Sequence, residues 1–180
     1  MNNLLLDNEI TVSGVLNAKS KKHSAEIAKS MGLSPYIINN NKPYYYTNAE
    51  HISKDSLIAL PIGDIFTEFK AITKAGIKQM HNIKKQFNIS TMNYKSKNHE
   101  YLLFYSDKRL SDLPYDQLCI KSQNDQNGLF LNLKHSYAVI PPSPGYKIIE
   151  AKEMSYLPDK FIEYILAMHG NAVVSGNNYA

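Results

Sequence analysis

Tryptophan is absent from the 180 residues, and cysteine and arginine occur once each, at Cys119 and Arg109. No apolar run approaches the roughly 20 residues that a membrane-spanning helix needs. A lone cysteine excludes an internal disulfide framework and suits a reducing compartment, so a cytoplasmic location with no membrane partner is expected. A lone arginine disfavours sequence-specific DNA reading. Lysine contacts phosphate as a point charge but lacks the bidentate fork that reads guanine. The opening stretch Met1–Asp7 is briefly apolar with no basic region before it, which is not the pattern of a signal peptide. Phosphate loop, dinucleotide fingerprint, paired zinc ligands and nucleophile elbow are all missing.

What is present is a mildly basic chain of net charge +4 with 43% hydrophobic residues, long enough to bury a proper core. The pattern predicts one domain over 1–180. Residues 1–18 read as a short strand or a docked arm, and 170–180 as a polar tail. A first helix is expected from about Lys19 to Gly32, then strands at Pro35–Ile38 and Tyr44–Tyr46 around an Asn39–Lys42 turn. Leu57–Ile62 reads as a buried strand. The recurrence of Phe69, Ile72, Ile77, Met80, Ile83 and Phe87 predicts a long helix from Phe66 to Phe87. Strands follow at 89–94, 99–106, 117–122, 129–133, 137–140 and 146–151, and a closing helix at 158–169. The fold class is therefore α+β, a mostly antiparallel sheet with flanking helices.

Three segments carry a resemblance. Ala28–Ile38 with Lys42-Pro43 forms a helix, a strand and a Lys-Pro turn. Lys95-Ser96-Lys97-Asn98-His99 sets a basic loop before a histidine that opens an apolar strand. Tyr137–Ile140 runs into Pro141-Pro142-Ser143, where proline cannot donate to a ladder. In this order the segments resemble the catalytic domain of the bifunctional DNA primase/polymerase family. The resemblance implies a primase/polymerase-like fold in a replication protein of a mobile element or virus. It also implies nucleotidyl transfer with Mg2+ or Mn2+, with single-stranded or primed DNA, nucleoside triphosphates and a replication-protein partner.

On that reading His99 contacts the triphosphate, flanked by Lys95, Lys97 and Lys121, and Ser143 bonds a sugar or phosphate. The family's strand supplies two acids at alternate positions to hold the divalent cations of a two-metal site. Here Asp64 is the nearest metal ligand and catalytic acid, with Glu68 four residues on, while Phe66 stands where the second acid belongs. If this segment is the first turn of the long helix, Asp64 and Glu68 are i,i+4 neighbours able to share an ion. Otherwise Asp64 is a helix N-cap. Cys119 occupies the third acidic position, and a buried thiol is ordinarily an inert core residue. Tyr44, Tyr45 and Tyr46 offer either core packing or base stacking, and Lys70, Lys74, Lys78, Lys84 and Lys85 a lysine-rich helix face.

Two functional classes follow: a metal-dependent polymerase, or the same fold with its metal site weakened or lost, binding nucleic acid or nucleotide. The alternative outside replication is a non-catalytic protein-interaction module.

Overall fold

The computed structural model describes residues 12–47, 52–120 and 128–175. It is an α+β domain built on two mostly antiparallel sheets. Helices α1 (Val12–Leu16) and α2 (Lys21–Ser30) open it, α2 capped by the Ser20 side chain, which accepts from His23 N. Four strands make the smaller sheet, in the order β2 (Lys42–Tyr45), β1 (Tyr36–Asn39), β3 (Leu57–Ile62), β9 (Ser136–Ile140). The β1–β2 turn is Asn40-Asn41 with both φ values positive, the conformation that suits a two-residue hairpin loop.

The larger sheet runs β10 (Lys147–Glu150), β5 (Met92–Lys95), β6 (Glu100–Tyr105), β4 (Phe66–Ala71), β8 (Leu129–Asn132), β7 (Gln117–Cys119). A short β11 (Ser155–Tyr156) adds to β6 in parallel. Three helices complete the chain: α3 (Lys74–Gln86), α4 (Lys108–Ser111) and α5 (Asp159–Ser175). The closing helix thus extends well into the tail expected from residue 170. Gly170 inside it carries a penalty of about 1 kcal/mol against alanine, too little to end a helix.

Alternation along the central strands divides the interior in two. Phe66, Met92, Tyr94, Tyr101 and Leu103 point to the smaller sheet and join Ile37, Ile58, Leu60, Ala138 and Ile140 in one core. Phe69, Ala71, Leu102, Phe104 and Leu131 point the other way and are covered by Met80 and Ile83 of α3 and Phe161, Ile162 and Ile165 of α5. The large sheet is buried on both faces, which explains the near-continuous apolar run Tyr101–Phe104.

The long helix expected from Phe66 is in fact a strand, a turn and a shorter helix. Phe66, Thr67 and Phe69 suit a pleated surface, and both faces of β4 are buried, so burial overrides the helical spacing. Helix α3 begins only after Thr73, whose Oγ1 accepts from Gly76 N at 2.9 Å. Gly128 fixes this junction. Its carbonyl accepts from Ile72 N at 2.8 Å, its φ is +66°, and a Cβ there would sit 2.7 Å from Thr73 Cγ2. A side chain at 128 would push the helix start away from β8.

Candidate functional site

The β5–β6 hairpin loop and the start of α3 enclose a concave site of about 440 Å³. Lys95, Lys97 and His99 enter it from the hairpin, and Thr73 and Lys74 from the helix start. Among the described residues, none of Lys74, Lys95 and Lys97 forms an ion pair with a carboxylate. Glu100 also lines the cleft, but its Oε1 is taken by His81 Nε2 at 2.8 Å and Asn93 Nδ2 at 2.9 Å.

His99 is half-buried and oriented by Tyr101, whose hydroxyl lies 3.3 Å from His99 Nδ1 and 3.1 Å from Ser96 Oγ. Burial, then the Lys70 cation, holds its imidazole below the ordinary histidine range. Lys70 Nζ lies 5.7 Å over the Tyr101 ring, near enough for a cation–π contact. The hairpin therefore presents a neutral, positioned imidazole among uncompensated ammonium groups. That arrangement suits a phosphate, which can accept from all of them.

Asp64 is not part of it. It lies exposed in the turn before β4, beside a separate groove of about 690 Å³ shared with Tyr36, His135 and Ser136. Register places Phe66 opposite Tyr105 and Ala71 opposite Glu100, so Asp64 and His99 lie beyond opposite ends of β4. Five steps of about 3.3 Å separate those ends by roughly 17 Å. The expected catalytic pairing of Asp64 with His99 is therefore corrected: one ligand cannot bridge them within a single reaction centre.

Glu68 is corrected as a helical partner of Asp64, because both precede α3 and Glu68 sits mid-strand, 3% exposed. Its carboxylate accepts from Tyr94 Oη at 2.7 Å and Asn132 Nδ2 at 2.8 Å. Burial pushes this carboxyl above the ordinary carboxylate range, while the Tyr94 hydroxyl, Lys70 and the Asn132 amide pull it back. Burial and the neighbouring Glu68 in turn push the Tyr94 phenol well up.

The donor set does not fit Mg2+ or Mn2+. Glu68 is surrounded by hydrogen-bond donors and an ammonium rather than further oxygen ligands. Among the described residues no three His, Cys, Asp or Glu side chains come together. Cys119, half-buried on β7, adds no hard ligand.

Ser143 is likewise corrected. The chain turns at Pro141-Pro142 and folds Ser143 onto β3, where it is 1% exposed. Its Oγ accepts from Ile58 N at 2.7 Å and donates to Ile58 O at 3.2 Å. The hydroxyl continues the β3 ladder where proline cannot, and it does not reach the hairpin cleft. Ser143→Ala is expected to cost about 1–3 kcal/mol, because it strands a buried N–H. Urea denaturation will show the loss, and ligand affinity at the hairpin should be unchanged; weakened binding at full stability would return Ser143 to the site.

Lys121 lies outside the described residues. Tyr44 and Tyr45 are exposed and Tyr46 is buried in the core, with the Tyr45 ring tilted against Tyr36 at a centroid distance of 4.6 Å. These rings belong to the smaller sheet, apart from the hairpin. Lys74, expected mid-helix among the lysines of one face, instead opens α3 and lines the cleft. Sequence reasoning missed Asn132 and Tyr94 as partners of Glu68; their only signal was polar or amphipathic character within apolar strands.

Neither a protein-family model nor a curated protein matches this sequence. Among the described residues no helix is long and apolar enough to cross a membrane.

Proposed function

We propose that this chain is a primase/polymerase-like domain of a mobile-element or viral replication apparatus, one that binds phosphate without a working two-metal centre. Its partners on this reading are nucleic acid and nucleoside triphosphates, held at the β5–β6 hairpin. The observation that carries it is the convergence of Lys74, Lys95, Lys97 and His99 in one cleft with no carboxylate among the described residues paired to the three lysines. Clustered unpaired cations are a standing electrostatic cost that a bound polyanion removes.

The loss of metal chemistry is supported by β4. The family that the sequence resembles sets two acids at alternate positions of one strand. Phe66, Glu68 and Lys70 share one face of β4, so an aromatic ring and an ammonium group stand on either side of Glu68 where a second ligand would be needed. A cation at that place repels Mg2+ rather than holding it.

The test is titration of a nucleoside triphosphate with and without Mg2+, followed by a primer-extension assay. Expected are binding without metal and no extension. Extension that requires Mg2+ and disappears in Glu68→Gln would establish the polymerase reading instead.

A second reading, a protein-interaction module, is favoured by one surface. Tyr36, Tyr45 and Tyr137 adjoin on the smaller sheet, with Tyr36 and Tyr137 centroids 6.2 Å apart, Tyr45 64% exposed and Tyr137 41% exposed. Exposed tyrosine clusters of this kind are common at protein interfaces.

A further inference from the structure

The cationic surface does not stop at the hairpin. Helix α3 carries four lysines and no acidic residue over its 13 positions. Lys74, Lys78, His81 and Lys85 recur at +4, +7 and +11, which at 100° per residue confines them to a sector of about 60°. Lys74, Lys78 and Lys85 are exposed, while Met80 and Ile83 face the core; His81, also exposed, is held by Glu100 at 2.8 Å. Lys84 leaves the stripe by pairing with Glu150 at 2.9 Å, and Glu150 is further engaged by Lys152 at 3.2 Å.

Beyond the helix, β10 brings Lys147 directly opposite Lys95 of β5. Like charges at facing strand positions destabilise a sheet, as do lysines four apart on a helix. Neither member of the Lys95–Lys147 pair has a carboxylate within salt-bridge distance among the described residues. A second concave region of about 340 Å³, bordered by His81, Lys85, Lys152 and the paired Lys84 and Glu150, lies at the far end of α3.

We infer that a single-stranded nucleic acid binds along α3, its phosphates running from the hairpin cleft past Lys78 to Lys85. This rests on the phosphate-binding reading of the hairpin and specifies a polymer as its ligand. From Lys74 to Lys85 the helix rises about 16 Å, the reach of a few consecutive phosphates of one extended strand. Clefts of a few hundred Å³ at both ends admit one chain. A membrane surface fits less well, because the apolar side chains of α3 face inward and leave nothing to insert. With lysines throughout the stripe, binding should be indifferent to base sequence.

The test is fluorescence anisotropy of a labelled oligothymidylate of about fifteen nucleotides against salt, comparing wild type with Lys78→Gln/Lys85→Gln. Each single-strand phosphate contact contributes about 0.7 to the log–log salt slope. The variant should therefore show a slope flatter by about 1.4 and, near 0.1 M salt, affinity about 25-fold weaker. Its affinity for a nucleoside triphosphate, which reaches only the hairpin, should stay at the wild-type value.

A wild-type slope and affinity in the variant would overturn the α3 path while triphosphate binding kept the hairpin reading intact. Wild-type preference for duplex DNA or for phosphatidylserine vesicles over the oligonucleotide would also overturn it. Failure of the wild type to bind triphosphate would remove the hairpin reading itself.

Discussion

Reversing the hairpin charges, in Lys74→Glu/Lys95→Glu/Lys97→Glu, is expected to weaken single-stranded DNA binding more than 100-fold near 0.1 M salt. Three contacts at about 0.7 each give a slope change of about 2.1, and reversal adds repulsion to the loss of attraction. The fold should survive, since the described structure gives these lysines no ion pair to break. Lys95→Glu replaces the like-charge facing pair with Lys147 by an opposite one and the facing pair with Glu100 by a like one, so the two effects on the sheet offset. Anisotropy for binding and urea denaturation for stability make the comparison. Retained affinity in a folded triple variant would remove the hairpin from the site.

The same cleft sets a pH dependence. In the free protein burial, and then Lys70, keeps the His99 imidazole easier to deprotonate than usual. A bound phosphate adds negative charge beside it and favours the imidazolium. The complex then holds a proton more tightly than the free protein, so affinity rises as pH falls between those two titrations. His99→Asn should flatten this profile; an unchanged profile would show that the imidazole does not contact the anion.

Glu68→Ala is expected to produce the largest loss of stability, about 3 kcal/mol. The substitution removes the acceptor shared by Tyr94 Oη and Asn132 Nδ2, leaving two buried donors unpaired at about 1–3 kcal/mol each. Relief from burying a charge offsets part of this at neutral pH.

The pH sign follows from linkage. Because the folded-state carboxyl titrates above its unfolded value, the native state binds this proton more tightly. Its contribution is fully present below the unfolded value and is lost as pH rises through the folded one. The destabilisation by Glu68→Ala should therefore be larger near pH 5 than near pH 8, measured by urea midpoints with circular dichroism. A loss that grows with pH would mean that Glu68 is held as a stabilising anion.

Much of the fold was legible because alternation and turn chemistry are local. The Asn-rich turn, the strands around His99 and the Ser20-capped helix stand within a few residues of their expected places. Two stretches depart: residues 12–16, expected as a strand or docked arm, form helix α1, and in 66–87 Phe69, Ile72, Ile77 and Met80 satisfy helical spacing although Phe69 is a strand residue. Periodicity cannot distinguish a doubly buried strand running into an amphipathic helix from one longer helix. The latter error generated the Asp64–Glu68 ion site and displaced Lys74 from the cleft.

Sequence alone determined the α+β class, the near-absence of arginine and the basic loop before His99, because each depends on residue type or near-neighbour order. Tertiary structure decided that Asp64 and His99 lie beyond opposite ends of β4, that Ser143 serves the backbone of Ile58, and that Lys147 faces Lys95. Those are outcomes of strand register and reversal of direction. They join residues far apart in the chain, and no local pattern encodes them.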